Sequence, residues 1–370
     1  MTDTTAAAGL TVQQWDDKFF VEHVQQNRFA SEMGTSENAI IQVKEDLKQK
    51  KGDSVTFALV NRLTGAGVSN GATLEGNEED MDSRSFKLTI GERAHGVRVT
   101  DWQNQISAID LRKAAKMTLK TWAMEDTRDR TIAALMSING VAYGSASEAQ
   151  KDAWLDDNLD RVLFGKTKSN VSTSAPAGGA THDHSGSLAN VDASNDKFTA
   201  SAASLMKRIA RTAAPKIRPV MSESSGRFYY TCYVPSLVFR DLKGDSTITQ
   251  AQRDVSLRMQ NEKLFKGGDI EWDGIIFKEI EDIPVLTGVG AGGAVDVAPV
   301  FLCGAQALGY GIANRWKSAE ETFDYGRKKG VAIMEMGGIE KMLFGSGSTD
   351  TADLKDHGVV TGFFAAVADA

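Results

Sequence analysis

The chain of 370 residues is 41% apolar and 25% charged, and its formal net charge is -7. That length accommodates two domains, or one with large extensions, and the acidic balance excludes a protein whose whole surface grips nucleic acid, because phosphate neutralisation needs a surplus of lysine and arginine. No stretch reaches the roughly 20 apolar residues of a bilayer-crossing helix, and MTDTTAAAGL lacks the basic-then-apolar order of a secretory leader.

A first helix is predicted over about Thr11 to Phe29. Thr11 and Gln14 have capping-box spacing, and Trp15 and Phe19 share a face with Val12 and Val24. The segment has too few apolar positions for a core of its own, and the polar stretch Ser31 to Asn38 follows it. It reads as an arm whose aromatic stripe must bury elsewhere, and Trp15, Phe19 and Phe20 are its candidate contact residues.

Val55, Phe57 and Leu59 alternate, as do Phe86, Leu88 and Ile90, so two strands are predicted. The roughly 25 residues between them hold Gly65, Gly67, Gly71 and Gly76, then the acidic Glu78, Glu79, Asp80 and Asp82. The acids lack the alternating spacing and terminal glutamate of an EF-hand loop. The segment reads as a long hairpin with a solvated tip that projects from the body.

A helix is predicted over Ser107 to Met136, with Ser107 and Asp110 as a capping pair and Asn139-Gly140 as the stop. At about 45 Å it would be a spine for an elongated subunit. A shorter helix is expected around Asp152 to Leu163, and Gly165 to Asp196 reads as a long surface loop or linker, mobile unless a neighbour holds it. Phe198 to Ala213 is again helical and is ended by Pro215 and Pro219. Strands are expected over Arg227 to Phe239, Gly274 to Ile280, Val297 to Leu302, Val331 to Met334 and Gly358 to Phe364. Helices first and strands later argue for α+β rather than alternating βαβ units.

Three motifs tempt and fail. GVGAGG at Gly288 to Gly293 matches a dinucleotide fingerprint in letters, but it leads into a strand where the phosphate needs a helix N-terminus. Gly165-Lys166-Thr167 resembles the end of a P-loop, yet Asp160 stands where that loop needs glycine. His182 and His184 lie in the Gly/Ser-rich segment, where solvated histidines are expected rather than a metal pair. Cys232 and Cys303 fall in separate apolar runs and read as buried structural thiols, which fits a reducing cytoplasm. No nucleophile, base and orienting group recur at recognisable spacing, so no catalytic residue, cofactor or metal is expected.

The C-terminal half carries a resemblance. LFKGGDIEWDGIIFKEI (Leu264 to Ile280), LCGAQALGYGIANRW (Leu302 to Trp316), FDYGRKKGVAIMEMGGIEKMLF (Phe323 to Phe344) and KDHGVVT (Lys355 to Thr361) resemble, in order, segments of one family. That family is the major capsid proteins of short-tailed bacteriophages of the N-four type. The likeness is most specific at Phe323 to Val331 and weakest in Gly165 to Asp196.

The resemblance implies the α+β Hong Kong-type tailed-phage capsid fold. Its parts would be an N-terminal arm (1–51), an extended β-hairpin (52–100), a peripheral domain with a spine helix (101–216 and 326–370) and an axial domain (217–325). It implies a shell subunit that assembles with itself as pentamers and hexamers around double-stranded DNA, without sequence-specific binding and without catalysis. Scaffolding, portal and decoration proteins are the implied partners, with the virion capsid as destination and the host cytoplasm as the place of assembly. Leu74, Glu78, Glu79 and Asp80 join the arm aromatics as candidate intersubunit contacts. Some related phages weld this hairpin to a neighbour through lysine, but none lies between Leu63 and Arg84, so locking is expected to be noncovalent. The alternatives are an encapsulin-like compartment shell and a cytoplasmic enzyme with an unrecognised site.

Overall fold

Helices, whose side chains repeat every 3.6 residues, and strands, whose side chains alternate, follow one another along the chain. The computed structural model describes residues 27–45, 52–60, 83–107, 109–222, 226–251, 265–266, 269–346 and 351–368, with short pieces within 67–79 and residue 349. From its start the described chain forms β1 (Met33–Gly34), β2 (Ile41–Lys44), β3 (Ser54–Val60), β4 (Ser83–Thr89) and β5 (Gly91–Thr100). Helices α1 (Asp101–Ile106), α2 (Leu111–Met136) and α3 (Glu148–Asp157) follow. Next come β6 (Val162–Phe164), α4 (His184–Ala189), α5 (Ala200–Thr212), β7 (Val220–Met221), β8 (Phe228–Val234) and α6 (Ser236–Gly244). The remaining named elements are strands: β9 (Phe265–Lys266), β10 (Asp269–Trp272), β11 (Ile275–Glu279), β12 (Val297–Cys303), β13 (Leu308–Phe323), β14 (Lys328–Lys341), β15 (Leu343–Gly345), β16 (Leu354–Asp356) and β17 (Val359–Ala365).

The elements fall into two units. Unit two holds Arg28–Gly91, Arg128–Ala313 and Gly337–Ala370. Its centre is a mixed sheet in the order β6-β17-β12-β8-β11-β10-β9, with β7 on β8. β12 runs antiparallel to both β17 and β8, while β8 pairs parallel with β11. Every residue of β12 and β17 is buried because both faces of the sheet are covered, which is why these strands read as unbroken apolar runs. One face (Cys232, Val234, Val300, Leu302, Val360, Phe364) packs with Met206 and Ile209 of α5 and Phe239 and Leu242 of α6. The other (Tyr233, Phe301, Cys303, Val359) packs with Phe29, Ile41 and Leu135. Each such side chain stabilises the unit by about 1.5–3 kcal/mol.

The pleat also settles the cysteines. Cys232 pairs in register with Leu302, one residue from Cys303, so the two thiols point to opposite faces. Both are free and buried, and burial raises the pKa of each thiol well above its ordinary value.

Unit one includes Glu92–Thr127 and Asn314–Met336. Here β14 lies between β13 and β5. Trp122 of α2 lies between His95 and Trp316, tilted to the first and edge-on to the second, at ring-centre distances of 4.7 and 5.8 Å. Asp126 is paired with Arg93, and Glu320 with both Arg112 and Lys116.

Several expectations are corrected. The helix read from Ser107 is two helices, because Ser107 closes α1 and Asp110 opens α2 by accepting from the amides of Arg112 and Lys113 at 3.0 and 3.1 Å. The 26-residue α2 is therefore about 39 Å long. The helix read as Asp152 to Leu163 is α3, opened by the Ser147–Gln150 capping box, and Leu163 belongs to β6. The strand read through Phe239 stops at Val234: Pro235 caps α6, whose Val238, Phe239 and Leu242 form a buried helical face. A short apolar run rich in β-branched and aromatic residues reads alike in a buried helix and a strand. The helix expected over Thr11 to Phe29 lies outside the described residues except at its end, where Phe29 is buried beside Tyr233, ring centres 4.7 Å apart.

The segment Gly165 to Asp196 is folded rather than mobile. Asp196 accepts from the amides of Lys166 and Asp192 and from Asn170 at 2.9–3.2 Å. Asp152 takes the amides of Ala177 and His184, both at 2.7 Å, and Asp183 caps α4. Val191 and Leu188 are buried. Carboxylates that hold backbone donors order this loop, a signal that apolar periodicity does not carry.

Candidate intersubunit surfaces

The hairpin strands pair antiparallel, Val55 opposite Leu88 and Phe57 opposite Phe86, as their alternation dictates. Their inner face forms a small core of Val55, Phe57, Leu88, Met342 and Phe344. Glycines let it sit close. A Cβ on Gly311 would come within 2.9 Å of Leu88, one on Gly309 within 3.0 Å of Phe57, and one on Gly338 within 2.3 Å of the Thr89 carbonyl. Lys44 donates to the Thr56 carbonyl at 3.0 Å and lies 4.5 Å over the Phe57 ring. The base of the hairpin is thus clamped while Thr56, Ala58 and Val60 face solvent.

Of the sequence-derived contact residues, Leu74, Glu78 and Glu79 are exposed, Leu74 to 61%. Trp15, Phe19, Phe20 and Asp80 lie outside the described residues.

Of the two loop histidines, His184 is not solvated, which corrects the reading from sequence, while His182 is half-buried. His184 is buried among Tyr143, Trp154, Phe164 and Phe363, with ring centres 5.5–6.1 Å away. Burial, aided by nearby Lys151, pushes its pKa down to about 3. His182 instead contacts Asp156, Nδ1 to Oδ1 at 2.6 Å. The cleft beside it, about 500 Å³, is lined by Asp156, Asp157, Asp160, Lys168, His182 and Lys355. Two of its carboxylates, Asp156 and Asp160, are engaged structurally. Burial opposes ionisation of Asp156, but hydrogen bonds from the Thr181 amide and His182 hold its pKa below the usual range. Asp160 receives Arg161, Lys355 and the Ala214 amide. No group of three or more histidine, cysteine or acidic residues among the described residues is placed to hold a metal.

GVGAGG forms a turn. Leu286 and Val297 bridge across it, the Gly288 amide donates to Asp296 at 2.8 Å, and β12 follows. Gly165 lies against Asp196, a carboxylate where a P-loop would place phosphate. The end of unit one carries residues that sequence reasoning did not single out: Trp102 and Ile106 of α1, and Tyr325 in the β13–β14 turn, are all strongly exposed. The signal available was Asp324-Tyr325-Gly326 between two strands, a turn sequence with an aromatic at its tip.

The hairpin clamped at its base, the long helix and the mixed sheet buried on both faces make up the Hong Kong-type fold of phage capsid subunits, as the likeness to solved capsids shows. A family model described as "Phage capsid protein" matches residues 3–367. The chain is 25% identical over 345 residues to the major capsid protein of Pseudomonas phage KPP25, covering 90% of this chain and 89% of that one. It superposes on the capsid of cyanophage Pam1 with a TM-score of 0.85 and 31% identity, all of both chains covered. The capsid of Ralstonia phage GP4 shares the fold at a TM-score of 0.75 and 22% identity, again over all of both chains. The chain belongs to the phage capsid protein family, and its function is that of a major capsid protein, the repeated subunit of a phage's icosahedral shell.

Proposed function

We propose that copies of this chain close into pentamers and hexamers by head-to-tail contacts, which give rings when the rotation closes. Residues 217–325 act as the axial domain, and 101–216 with 326–370 as the peripheral domain, with α2 as its spine. The hairpin (52–100) lies over the adjacent subunit and the arm (1–51) ties down a neighbour, through Leu74, Glu78, Glu79 and Asp80 and through Trp15, Phe19 and Phe20. Locking is noncovalent, and many modest contacts per subunit make the shell stable through multiplicity. The shell encloses double-stranded DNA without reading its sequence, in keeping with the net charge of -7. It forms in the host cytoplasm with scaffolding and portal proteins, and with decoration proteins where the phage has them. The subunit catalyses nothing.

The observation that supports this reading is the hairpin's construction, a glycine-seated base beneath an exposed Leu74 and exposed acids. Negative-stain microscopy of the protein expressed with its phage's scaffolding gene is expected to show uniform closed shells. Deleting Leu63 to Ser83 is expected to abolish them while the subunit stays folded. Normal shells from the deletion would remove the hairpin's role, and small soluble oligomers from the intact chain would remove the assembly reading.

A further inference from the structure

Residues 172–190 form a strap laid along α3. Asp152 and Asp156, four residues apart on that helix, take its backbone donors. Asp152 accepts from the Ala177 and His184 amides, both at 2.7 Å, and Asp156 from those of Thr181 and His182 at 2.6 and 3.0 Å. Ser172 and Asp183 bridge within the strap, and Asp196 ties its flanks by accepting from the Lys166 and Asp192 amides, both at 2.9 Å. A surface segment tied at its flanks and held through polar contacts of this kind can open locally, without the sheet beneath it.

One side chain of the strap is driven into the body. His184 is 1% exposed, and its ring is enclosed by Tyr143 from the loop before α3, Trp154 of α3, Phe164 of β6 and Phe363 of β17. Its Nε2 is buried with no hydrogen-bond partner among the described residues. A neutral imidazole tolerates that enclosure, whereas an imidazolium would be a buried charge without a hydrogen-bonded partner at that nitrogen.

The charges around the cage add to the effect. Lys151 of α3 lies 4.8 Å over the Tyr143 ring, pairs with Glu148 at 2.9 Å, and opposes a proton on His184. Asp183, the cap of α4, favours that proton more weakly, and the Asp152 carboxylate is taken up by two amides. Lys341, paired with Asp356, stands 5.5 Å over the Trp154 ring. From β6 and β17 the ring meets phenylalanines. His182, the strap's other histidine, faces a carboxylate instead, Asp156 at 2.6 Å. Burial, ahead of Lys151, holds His184 down to about 3, while a ring released to solvent takes a proton near pH 6.5. Between those values the open strap binds a proton that the seated strap does not, so opening is favoured as the pH falls.

We propose that residues 172–190 are an acid-released strap: charging His184 lifts the segment from α3 and uncovers Trp154, Phe164 and Phe363 while the central sheet stays folded. The strap and its cage lie within unit two, so the device does not depend on shell assembly. Hydrogen exchange of the folded subunit tests it, read as protection factors so that the intrinsic pH dependence of exchange cancels. Protection of residues 184–191 is expected to fall about 20-fold from about pH 7 to about pH 5, with β12 remaining at least about tenfold better protected. In His184→Phe, or in His184→Leu should the first not fold, the fall is expected to shrink below about threefold. Anilinonaphthalene sulfonate, which binds exposed apolar surface, should bind the wild type at about pH 5 and not the folded variant. Equal protection of residues 184–191 and β12 at that pH overturns the proposal, because the histidine then senses only unfolding of the whole unit. A wild type whose strap keeps its protection overturns it too, as does a fall that persists undiminished in a folded variant.

Discussion

Lys341 and Asp356 form a buried ion pair in unit two. The side chain of each is 1% exposed, and they meet at 2.7 Å. Trp154 donates to the same carboxylate oxygen at 3.4 Å, and the Asp356 amide donates to Asn158 at 2.9 Å. Removing one partner of such a pair strands the other charge at a cost of about 3–5 kcal/mol, whereas an apolar pair of similar volume is often neutral. Asp356→Ala is therefore expected to lower the unfolding free energy by about that much in urea titrations, and Lys341→Met with Asp356→Leu by far less. Histidines add a pH dependence. Burial depresses His184 to about 3 and His357 to about 4, the latter helped by Arg161 and Arg218. The unfolded chain binds these protons near pH 6.5 and the folded chain does not, so stability is full above that value and falls as the pH drops towards the folded values. Each ring contributes up to about 1.4 kcal/mol per pH unit in that window. Urea titrations from about pH 7 to about pH 4 should show this slope, and His184→Phe should flatten it; an unchanged slope would remove His184 as a cause.

Among elements, the hairpin shows how sequence and tertiary structure divide the work. Alternation at Val55-Phe57-Leu59 and Phe86-Leu88-Ile90 predicts both strands, and the structure sets their register, Val55 opposite Leu88 and Phe57 opposite Phe86. What the hairpin sits on is invisible in that pattern, because Gly309, Gly311 and Gly338 lie about 220 to 280 residues further along the chain and acquire meaning only when β13 and β14 arrive. Gly338→Ala sets a Cβ 2.3 Å from the Thr89 carbonyl, against backbone rather than a flexible side chain. Its expected cost is about 1–3 kcal/mol, with faster amide exchange in β4 than in β12. Uniform exchange rates in the variant would show that the hairpin base is not seated there. Both α2 and the segment 165–196 departed from expectation for one reason: short polar side chains, Asp110 in the first and Asp152, Asp183 and Asp196 in the second, decide where backbone donors go.

For the whole molecule, the family and its function follow from the match across residues 3–367 and the shared fold with the Pam1 capsid. The manner of locking belongs to the assembled shell. With no lysine between Leu63 and Arg84, the hairpin tip has no amine to weld to a neighbour. Mature shells boiled in detergent are expected to run as a single subunit band, and a ladder of linked subunits would contradict noncovalent locking. The mixed-charge cleft beside His182 illustrates how charges can look functional and still be structural, since Asp156 and Asp160 both hold backbone amides.

By itself the sequence determined the α+β class, the hairpin strands, the long helix, the buried thiols and the capsid family, because each is written in local periodicity or in contiguous motifs. Only the tertiary structure decided that Gly165 to Asp196 is ordered, that His184 is neutral inside an aromatic cage, and that Pro235 begins a helix. It alone brought Trp102 and Tyr325, more than 200 residues apart in sequence, to one end of unit one. The physical reason is common to all of them. Each depends on which distant group meets a backbone donor, a ring or a glycine, and that pairing does not exist until the chain has folded.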